Sequence, residues 1–283
     1  MNRHLFPFVP SAVLFLLSLT AAGAAAGETR LEPIWTLKGL SAPESVAVSA
    51  DGSFLYVSNV NGEADAADGN GFISRVSVDG KMLEEKWAMG LDGPKGLVLK
   101  GARLFVTDIT RVVELDAATG KRVAAHDVPG AKFLNDAALA PDGRILVSDS
   151  DTGRISALDG GKVEVFLEDP RLKSINGLLP DGERLVIVTM QGLLLAMDWK
   201  TRALNEIARD LGDGDGIAAL GGGRYLVSEW PGRIFEVAPD GGNAVLLDTR
   251  AEKKFLNDFV LAGDTLYVPH WEPGALTAYR LRR

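Results

Sequence analysis

A six-fold internal repeat constrains the fold of this chain more than any other feature of its sequence. The six repeats begin with segments that align without gaps, and each carries a polar residue at its second position: Glu44, Lys95, Asn135, Asn176, Asp215 and Asn257. These six residues are 51, 40, 41, 39 and 42 positions apart. A period of about 40 residues is typical of stacked supersecondary units, either the blades of a propeller or the turns of a solenoid.

Each repeat consists of short β-rich runs separated by turns. The first turn is of the Asp-Gly or Gly-rich type, as in Asp51-Gly52 and Asp142-Gly143, and it precedes a β-rich run such as residues 54–58. Such turns supply the positive φ angles that tight hairpins need. A third run and a more polar fourth run follow in most repeats. Four strands in every 40 residues predict an all-β, six-bladed β-propeller. A solenoid would need capping segments at its ends, and the sequence shows none.

The two ends of the repeat region predict how the ring closes. The sixth repeat ends at Leu281 after only three strands, while residues 30–37 precede the first repeat without a blade of their own. Pairing these two segments would complete the sixth sheet and remove a free sheet edge. We therefore expect the N-terminal strand to close the last blade.

Composition narrows the range of partners. The chain has 283 residues, a formal net charge of −8, and no cluster of Lys and Arg that could follow a phosphate backbone. We therefore do not expect nucleic acid or an anionic membrane as a partner. We expect a small-molecule substrate or ligand instead. The absence of cysteine excludes disulfides, thiol chemistry and thiolate metal sites.

The N-terminus has the features of an export signal. Arg3 and His4 precede an apolar stretch at residues 5–19, and small-residue cleavage sites follow at residues 22–24 or 24–26. An uncleaved membrane anchor is the alternative, but the apolar stretch is short and contains Pro7 and Pro10. We expect residues 1–26 to be a signal peptide, residues 27–283 to form the propeller, and the protein to be periplasmic or secreted.

The six second-position residues are the first candidate site. The first strand of each propeller blade lines the central channel, so these residues should form a polar ring at one mouth, which we call the inner ring. Glu44, Asn135, Asn176 and Asp215 offer oxygen ligands of the kind that calcium prefers. Zinc is disfavoured because only His270 offers nitrogen near this mouth. The structural alternative is that these residues only cap strand starts and turns.

A second set of residues should surround the inner ring. Antiparallel pairing returns the second strand of each blade to the same mouth, where an outer ring is expected: Asn59, Asp108, Asp149, Glu229 and His270. Trp230 and Trp271 follow two of these positions and would form an apolar wall or belong to the core. We expect substrate contacts from Lys95, Asn257, Asp108, Asp149, Trp230 and Trp271. The loop at residues 60–71 is a lid, a second cation loop or a solvated loop.

These residues resemble the family of gluconolactonases, senescence marker protein and luciferin-regenerating enzyme, to which paraoxonases and diisopropyl fluorophosphatase are related. The resemblance spans residues 43–281. It implies a six-bladed propeller with a divalent cation, usually calcium, in its channel. The family's ligands are a Glu in blade one, Asn in blades three and four and an Asp in blade five, which correspond to Glu44, Asn135, Asn176 and Asp215.

Two features depart from the family pattern. Glu44 is followed by Ser45-Val46 where the family usually has Gly-Pro, and Lys95 adds an ammonium to the ring. That ammonium would pair with Glu44 or Asp215 and replace the metal, or it would bind an anionic group of a substrate. The blades also resemble NHL repeats, as in residues 133–158, and such propellers often bind ligands without catalysis.

The leading functional hypothesis is a calcium-dependent hydrolase of a lactone or similar ester. The resemblance implies Asp215 as the base or nucleophile, and His270 is a candidate to share the proton transfer. A Ser-His-Asp triad is not indicated because the sequence has no Gly-x-Ser-x-Gly elbow. The alternatives are a non-catalytic propeller that binds a small ligand or a protein, and a metal-free enzyme like strictosidine synthase.

Overall fold

Six antiparallel sheets, each of four strands, make up the part of the chain that the structure describes. The structure is a computed structural model, and it describes Met1 and residues 29–283. The sheets are the blades of a six-bladed β-propeller, which confirms the fold predicted from the repeat. The predicted signal peptide lies outside the described residues apart from Met1.

The strands run outward from the channel in sequence order within blades 1 to 5. Blade 1 holds β2–β5 (Pro43–Val48, Phe54–Asn59, Gly71–Ser77 and Met82–Leu91). Blade 2 holds β6–β9 (Pro94–Lys100, Arg103–Asp108, Arg111–Asp116 and Arg122–Asp127). Blade 3 holds β10–β13 (Leu134–Leu139, Ile145–Asp149, Arg154–Asp159 and Lys162–Glu168). Blade 4 holds β14–β17 (Ile175–Asp181, Arg184–Thr189, Leu194–Asp198 and Leu204–Ala208). Blade 5 holds β18–β21 (Asp213–Gly221, Arg224–Trp230, Arg233–Val237 and Asn243–Asp248).

The sixth blade is built from both ends of the described chain. Its strands are β22–β24 (Val260–Ala262, Thr265–His270 and Ala275–Arg282), and β1 (Arg30–Lys38) pairs with β24 as the outermost strand. The register runs from Arg30 opposite Arg282 to Lys38 opposite Ala275. Two short 3-10 turns, Pro170–Leu172 and Arg250–Glu252, precede blades 4 and 6. The expected closure by the N-terminal strand is therefore confirmed.

Apolar side chains pack between neighbouring blades rather than in one central core. Each of six buried clusters in residues 29–283 joins two adjacent sheets; one of them, for example, brings Leu55 of blade 1 against Leu276 of blade 6. The core thus forms a ring, which leaves the centre of the molecule to the polar first strands. No helix in the described part of the chain has the length and apolar character needed to cross a membrane.

The end of the closing strand approaches blade 6 too closely for a side chain. The carbonyl oxygen of Gly274 accepts hydrogen bonds from Gly39 N and Leu40 N, both at 3.0 Å. A Cβ atom on Gly274 would lie 2.3 Å from the carbonyl oxygen of Leu40, and its φ of +74° also favours glycine.

We predict that Gly274→Ala lowers the free energy of unfolding by roughly 2–4 kcal/mol, because it adds steric overlap to backbone strain. The matched control is Gly263→Ala, where φ is +59° but a Cβ meets no atom within 4 Å. This control should cost roughly 1 kcal/mol, from strain alone. Chemical denaturation measures both values, and equal losses would contradict the close approach inferred for the closing strand.

Candidate functional site at the channel mouth

All six inner-ring residues line one cavity of about 300 Å³ at the mouth of the channel. The side chains are buried in its floor, and six further residues complete the lining: Ala64, Phe133, Met190, Asp213, Trp230 and Trp271. Two larger clefts, of about 820 Å³ and 380 Å³, lie between blades at the opposite ends of the strands and contain none of the ring. The structure thus brings the predicted ring together in one concavity.

A β-bulge in the first strand of blades 1 to 5 explains why these residues face the cavity. In blade 1, Pro43 pairs with Asn59 and Val46 pairs with Val57, so Glu44 and Ser45 together oppose a single residue. The same shift of register occurs in blades 2, 3, 4 and 5. A bulge interrupts the ladder and redirects side chains, and in these five blades it turns the second-position residue of the repeat toward the axis.

Hydroxyl groups on the second strands stabilise these bulges. Ser58 Oγ accepts a hydrogen bond from Ser45 N at 2.9 Å, and Ser148 Oγ accepts one from Asp136 N at 2.9 Å. Ser228 Oγ does the same for Gly216 N at 2.7 Å. The N–H that the ladder loses is satisfied in each case, as a buried backbone donor requires.

Two of the three asparagines of the ring are oriented by their nitrogen atoms. Asn135 Nδ2 donates to Ser150 Oγ at 3.2 Å, and Asn257 Nδ2 donates to Pro43 O at 3.1 Å. Asn176 lies close enough to Asp215 to lower the pKa of that carboxyl, against the larger effect of burial. Because the nitrogens of Asn135 and Asn257 are engaged by the protein, their amide oxygens remain available to a ligand. Asn176 Oδ1 and Asp215 Oδ1 are fully buried and have no hydrogen-bond partner.

Negative charge accumulates around these oxygens. Burial raises the pKa of Glu44 well above its usual value, and the carboxylate of Asp215 raises it further. Burial and then the carboxylate of Asp258 raise the pKa of Asp215 in the same way. Asp136 and Asp258 lie one residue beyond the ring and are partly buried, and desolvation raises the pKa of Asp136 well above its usual value and that of Asp258 to about 6. A positive ion among these groups would oppose every one of these shifts.

Lys95 is the cationic side chain in the cavity lining, and it does not pair directly with the ring carboxylates. Its ammonium donates to the carbonyl oxygens of Ala64 at 2.8 Å and Gly93 at 3.2 Å, and it lies 4.2 Å from the ring centroid of Phe133. Burial lowers the pKa of Lys95, and the charge of Glu44 opposes that shift. Since Ala64 belongs to the loop at residues 60–71, the ammonium fastens this loop to the cavity.

The side chains at the mouth fit a divalent cation bound by oxygen atoms. Among residues 29–283, no three His, Asp or Glu side chains lie close enough to hold a metal ion by themselves. The inner ring instead combines two carboxylates with amide oxygens, and it contains two buried oxygens without partners. Calcium accepts such mixed, all-oxygen ligand sets. Glu44, Asn135, Asn176 and Asp215 are the residues that would hold it.

The outer ring lies outside the cavity lining and fixes the chain that leads into the first strands. Asp108 Oδ1 accepts hydrogen bonds from Asp92 N at 2.8 Å and Gly93 N at 2.9 Å. Asp149 Oδ2 likewise accepts one from Lys132 N at 2.8 Å. Asn59 Oδ1 accepts a hydrogen bond from Ser41 N at 3.0 Å, and Glu229 forms an ion pair with Arg233. The structure therefore does not bring Asp108 and Asp149, two of the expected substrate contacts, to the cavity.

His270 is also buried within blade 6 rather than in the cavity lining. Its Nε2 lies 3.0 Å from Thr277 Oγ1, and its Nδ1 is buried without a partner. Burial lowers the pKa of His270 to about 4. A neutral, enclosed imidazole in this place stabilises the sheet, and the structure does not place it beside Asp215 in the cavity lining.

An aromatic wall borders the polar floor. The rings of Trp230 and Trp271 meet edge to face with centroids 6.4 Å apart, and Phe255 supports Trp230 at 5.4 Å. Met190 occupies the equivalent position in blade 4, one residue after the end of the second strand. The cavity thus offers apolar surface above its oxygen-rich floor.

Sequence reasoning missed five residues of this region: Phe133, Met190, Asp213, Asp136 and Asp258. The aligned repeats contain a signal for each of them. Phe133 and Asp213 stand two positions before a ring residue, Met190 aligns with Trp230 and Trp271, and the two aspartates complete repeated Asn-Asp pairs. Reading further columns of the same alignment would have identified them.

Neither a protein-family model nor a curated protein sequence matches this chain. Solved structures with the same six-bladed fold include virginiamycin B lyase from Staphylococcus aureus, as a catalytically inactive variant with quinupristin, at 15% identity over 90% of this chain and 100% of that one, with a TM-score of 0.62. The selenomethionine-substituted enzyme gives 14% identity, the same coverages and a TM-score of 0.65. A streptogramin B lyase gives 14% identity over 92% of this chain and 100% of that one, with a TM-score of 0.64. The likeness shows the propeller fold.

We predict that Asp108→Ala lowers the free energy of unfolding by roughly 3 kcal/mol, because it leaves two backbone N–H groups without their buried acceptor and leaves Arg111 with Asp92 as its remaining partner. Asp116→Ala is the matched control: it removes a carboxylate from the same blade that pairs with Arg103 but is partly exposed. The control should cost roughly 1 kcal/mol. Unfolding in urea measures both, and an unchanged stability in Asp108→Ala would contradict its anchoring role.

Proposed function

We propose that this protein hydrolyses an ester, of the lactone type or similar, in the cavity at the channel mouth. The proposal includes a divalent cation, calcium, held by Glu44, Asn135, Asn176 and Asp215. The observation that carries it is the arrangement of the ring: the nitrogens of Asn135 and Asn257 are engaged by the protein, while Asn176 Oδ1 and Asp215 Oδ1 are buried without partners. The resemblance to the gluconolactonase family supports the same four residues.

Asp215 is the proposed base. Its carboxylate takes a proton from water, the resulting hydroxide adds to the ester carbonyl carbon, and the carbon–oxygen bond to the alcohol breaks. The proton then passes from Asp215 to the departing oxygen, so that acid and alcohol are the products. A cation bound in the ring supplies polarisation of the ester carbonyl and stabilisation of the developing negative charge.

The wall positions the rest of the substrate. Trp230, Trp271, Met190 and Phe133 offer apolar surface to the body of an ester, and burial of that body excludes water from the reacting carbonyl. Lys95 places a positive charge beside this surface, close to the loop at residues 60–71. A substrate with a negatively charged group would find its counter-charge there.

We predict that Asp215→Asn lowers kcat for lactone hydrolysis at least about 10²-fold, because the base is lost while the shape of the side chain is kept. Asp213→Asn is the matched control, since Asp213 lines the same cavity outside the proposed ligand set. Steady-state kinetics on a panel of lactones and aryl esters, with calcium or with a chelator, provides the measurement. Full turnover in Asp215→Asn would exclude this residue as the base.

The products distinguish hydrolysis from other chemistry. Hydrolysis in ¹⁸O-labelled water places one labelled oxygen in the acid product. An unsaturated product without label would instead indicate elimination, the reaction type in the name of virginiamycin B lyase. Ligand binding without any turnover would favour the non-catalytic alternative.

We predict that Lys95→Met strengthens calcium binding at least about tenfold, because it removes a buried positive charge near Glu44. Lys100→Met is the control, since Lys100 lies at the far end of the same strand, β6. Isothermal titration with calcium chloride measures both affinities. Weaker binding in Lys95→Met would show instead that the ring depends on the loop that Lys95 holds.

A further inference from the structure

A second tier of carboxylates lies directly beneath the inner ring and joins neighbouring blades. Asp136 Oδ2 accepts a hydrogen bond from Leu178 N of blade 4 at 2.6 Å. Asp258 Oδ2 accepts one from Ser45 Oγ of blade 1 at 2.6 Å. Asp136 also accepts the N–H of Ala137, the residue that follows it, at 2.6 Å. The aspartates at this repeat position thus join blade 3 to blade 4 and blade 6 to blade 1.

Glycines in the other blades make room for this tier. A Cβ atom on Gly216 would lie 2.5 Å from Asp258 Oδ1, and one on Gly96 would lie 2.6 Å from Asp136 Cα. Both glycines occupy the same repeat position as the two aspartates. The first strands therefore approach each other closely at this level of the channel. Blades 2, 4 and 5 have glycine at this position, so the aspartates of blades 3 and 6 pack against backbone.

Each bridge ends next to residues of the proposed cation site. Asp258 follows Asn257 and is bonded to Ser45, which follows Glu44. The bridge from Asp136 begins beside Asn135 and ends in β14, the strand that carries Asn176. A carboxylate directly beneath the ring therefore sets the spacing between ring residues of two different blades.

The joint between blades 6 and 1 has the greatest need for such a bridge. In blades 1 to 5 the first strand begins one or two residues before the ring residue. In blade 6 the first strand, β22, begins only at Val260, three residues after Asn257. Before it, Leu256 forms an isolated bridge with His270, and Phe255 and Asn257 add backbone hydrogen bonds to the end of β23 and the turn after it, without forming a regular ladder. Pro269 stands where blades 1, 3 and 5 have a serine, so no hydroxyl supports a bulge there.

We infer that Asp258 and Asp136 are positioning residues of the cation site: their bridges to Ser45 and Leu178 hold the ring oxygens at binding distance, and their charges add to the field on the cation. This inference rests on the proposed function. Each aspartate directly follows a ring residue in the chain, Asn257 or Asn135, and its bridge ends beside another one. Neither aspartate is placed in contact with substrate.

The experiment is calcium titration of the whole protein, by calorimetry with calcium chloride, in wild type and four variants. Ser45→Ala removes one bridge without changing charge, and we expect it to weaken binding about tenfold. Ser45→Thr keeps the hydroxyl and should restore most of the affinity. Asp258→Asn and Asp136→Asn lose charge as well and should weaken binding about 100-fold. The control is Ser156→Ala, a buried serine on the third strand of blade 3.

Thermal unfolding without calcium separates positioning from a general loss of stability. Ser45→Ala should shift the Tm no more than Ser156→Ala does, while its calcium affinity alone falls. If the aspartate variants do not fold, Ser45→Ala and Ser45→Thr decide the question. Wild-type affinity in every variant would overturn the positioning role and leave the proposed function standing. Absence of calcium binding in the wild type would overturn both.

Discussion

The bulge at the start of the first strands is the feature on which the rest of this molecule depends. A regular ladder would turn alternate residues toward the neighbouring blades, and Glu44 and Asp215 would then be buried between sheets. In the bulge, two residues of the first strand stand opposite one residue of the second strand. This arrangement turns the side chain at the second position of the repeat toward the axis. The cost is a backbone N–H without a ladder partner, which the hydroxyls of Ser58, Ser148 and Ser228 satisfy.

This geometry gathers more negative than positive charge at the axis. Two buried carboxylates, two partly buried ones and one ammonium lie near the axis, and desolvation raises the pKa of each carboxyl group. Unpaired charge that is removed from water is costly, so such a cluster favours bound protons or a positive ion. For the proposed cation, oxygens held in place by the strands would need little reorganisation.

The fold and the inner ring could be predicted from the sequence, because a repeat of constant length fixes which residues are equivalent. The roles of the outer ring could not be predicted. Their place in the repeat puts Asp108 and Asp149 at the mouth of the channel. The orientation of their carboxylates depends on the loop before each first strand, because they accept hydrogen bonds from the N–H groups of that loop. The partners of Lys95 were also hidden, since Ala64 lies 31 residues away in a loop outside the repeat pattern.

Equivalent positions serve different purposes around the ring, and one part of that division lies where the chain closes. Blades 1, 3, 4 and 5 present oxygens, while blade 2 presents an ammonium that is held by a loop. In blade 6, Asn257 turns its nitrogen to Pro43 O, and Asp258 accepts Ser45 Oγ. Both side chains link the last blade to the first. On the channel side of this joint, the polypeptide chain itself does not connect the two blades. The asymmetry of the site at blade 6 therefore arises from the closure of the ring, while that at blade 2 arises from the loop that Lys95 holds.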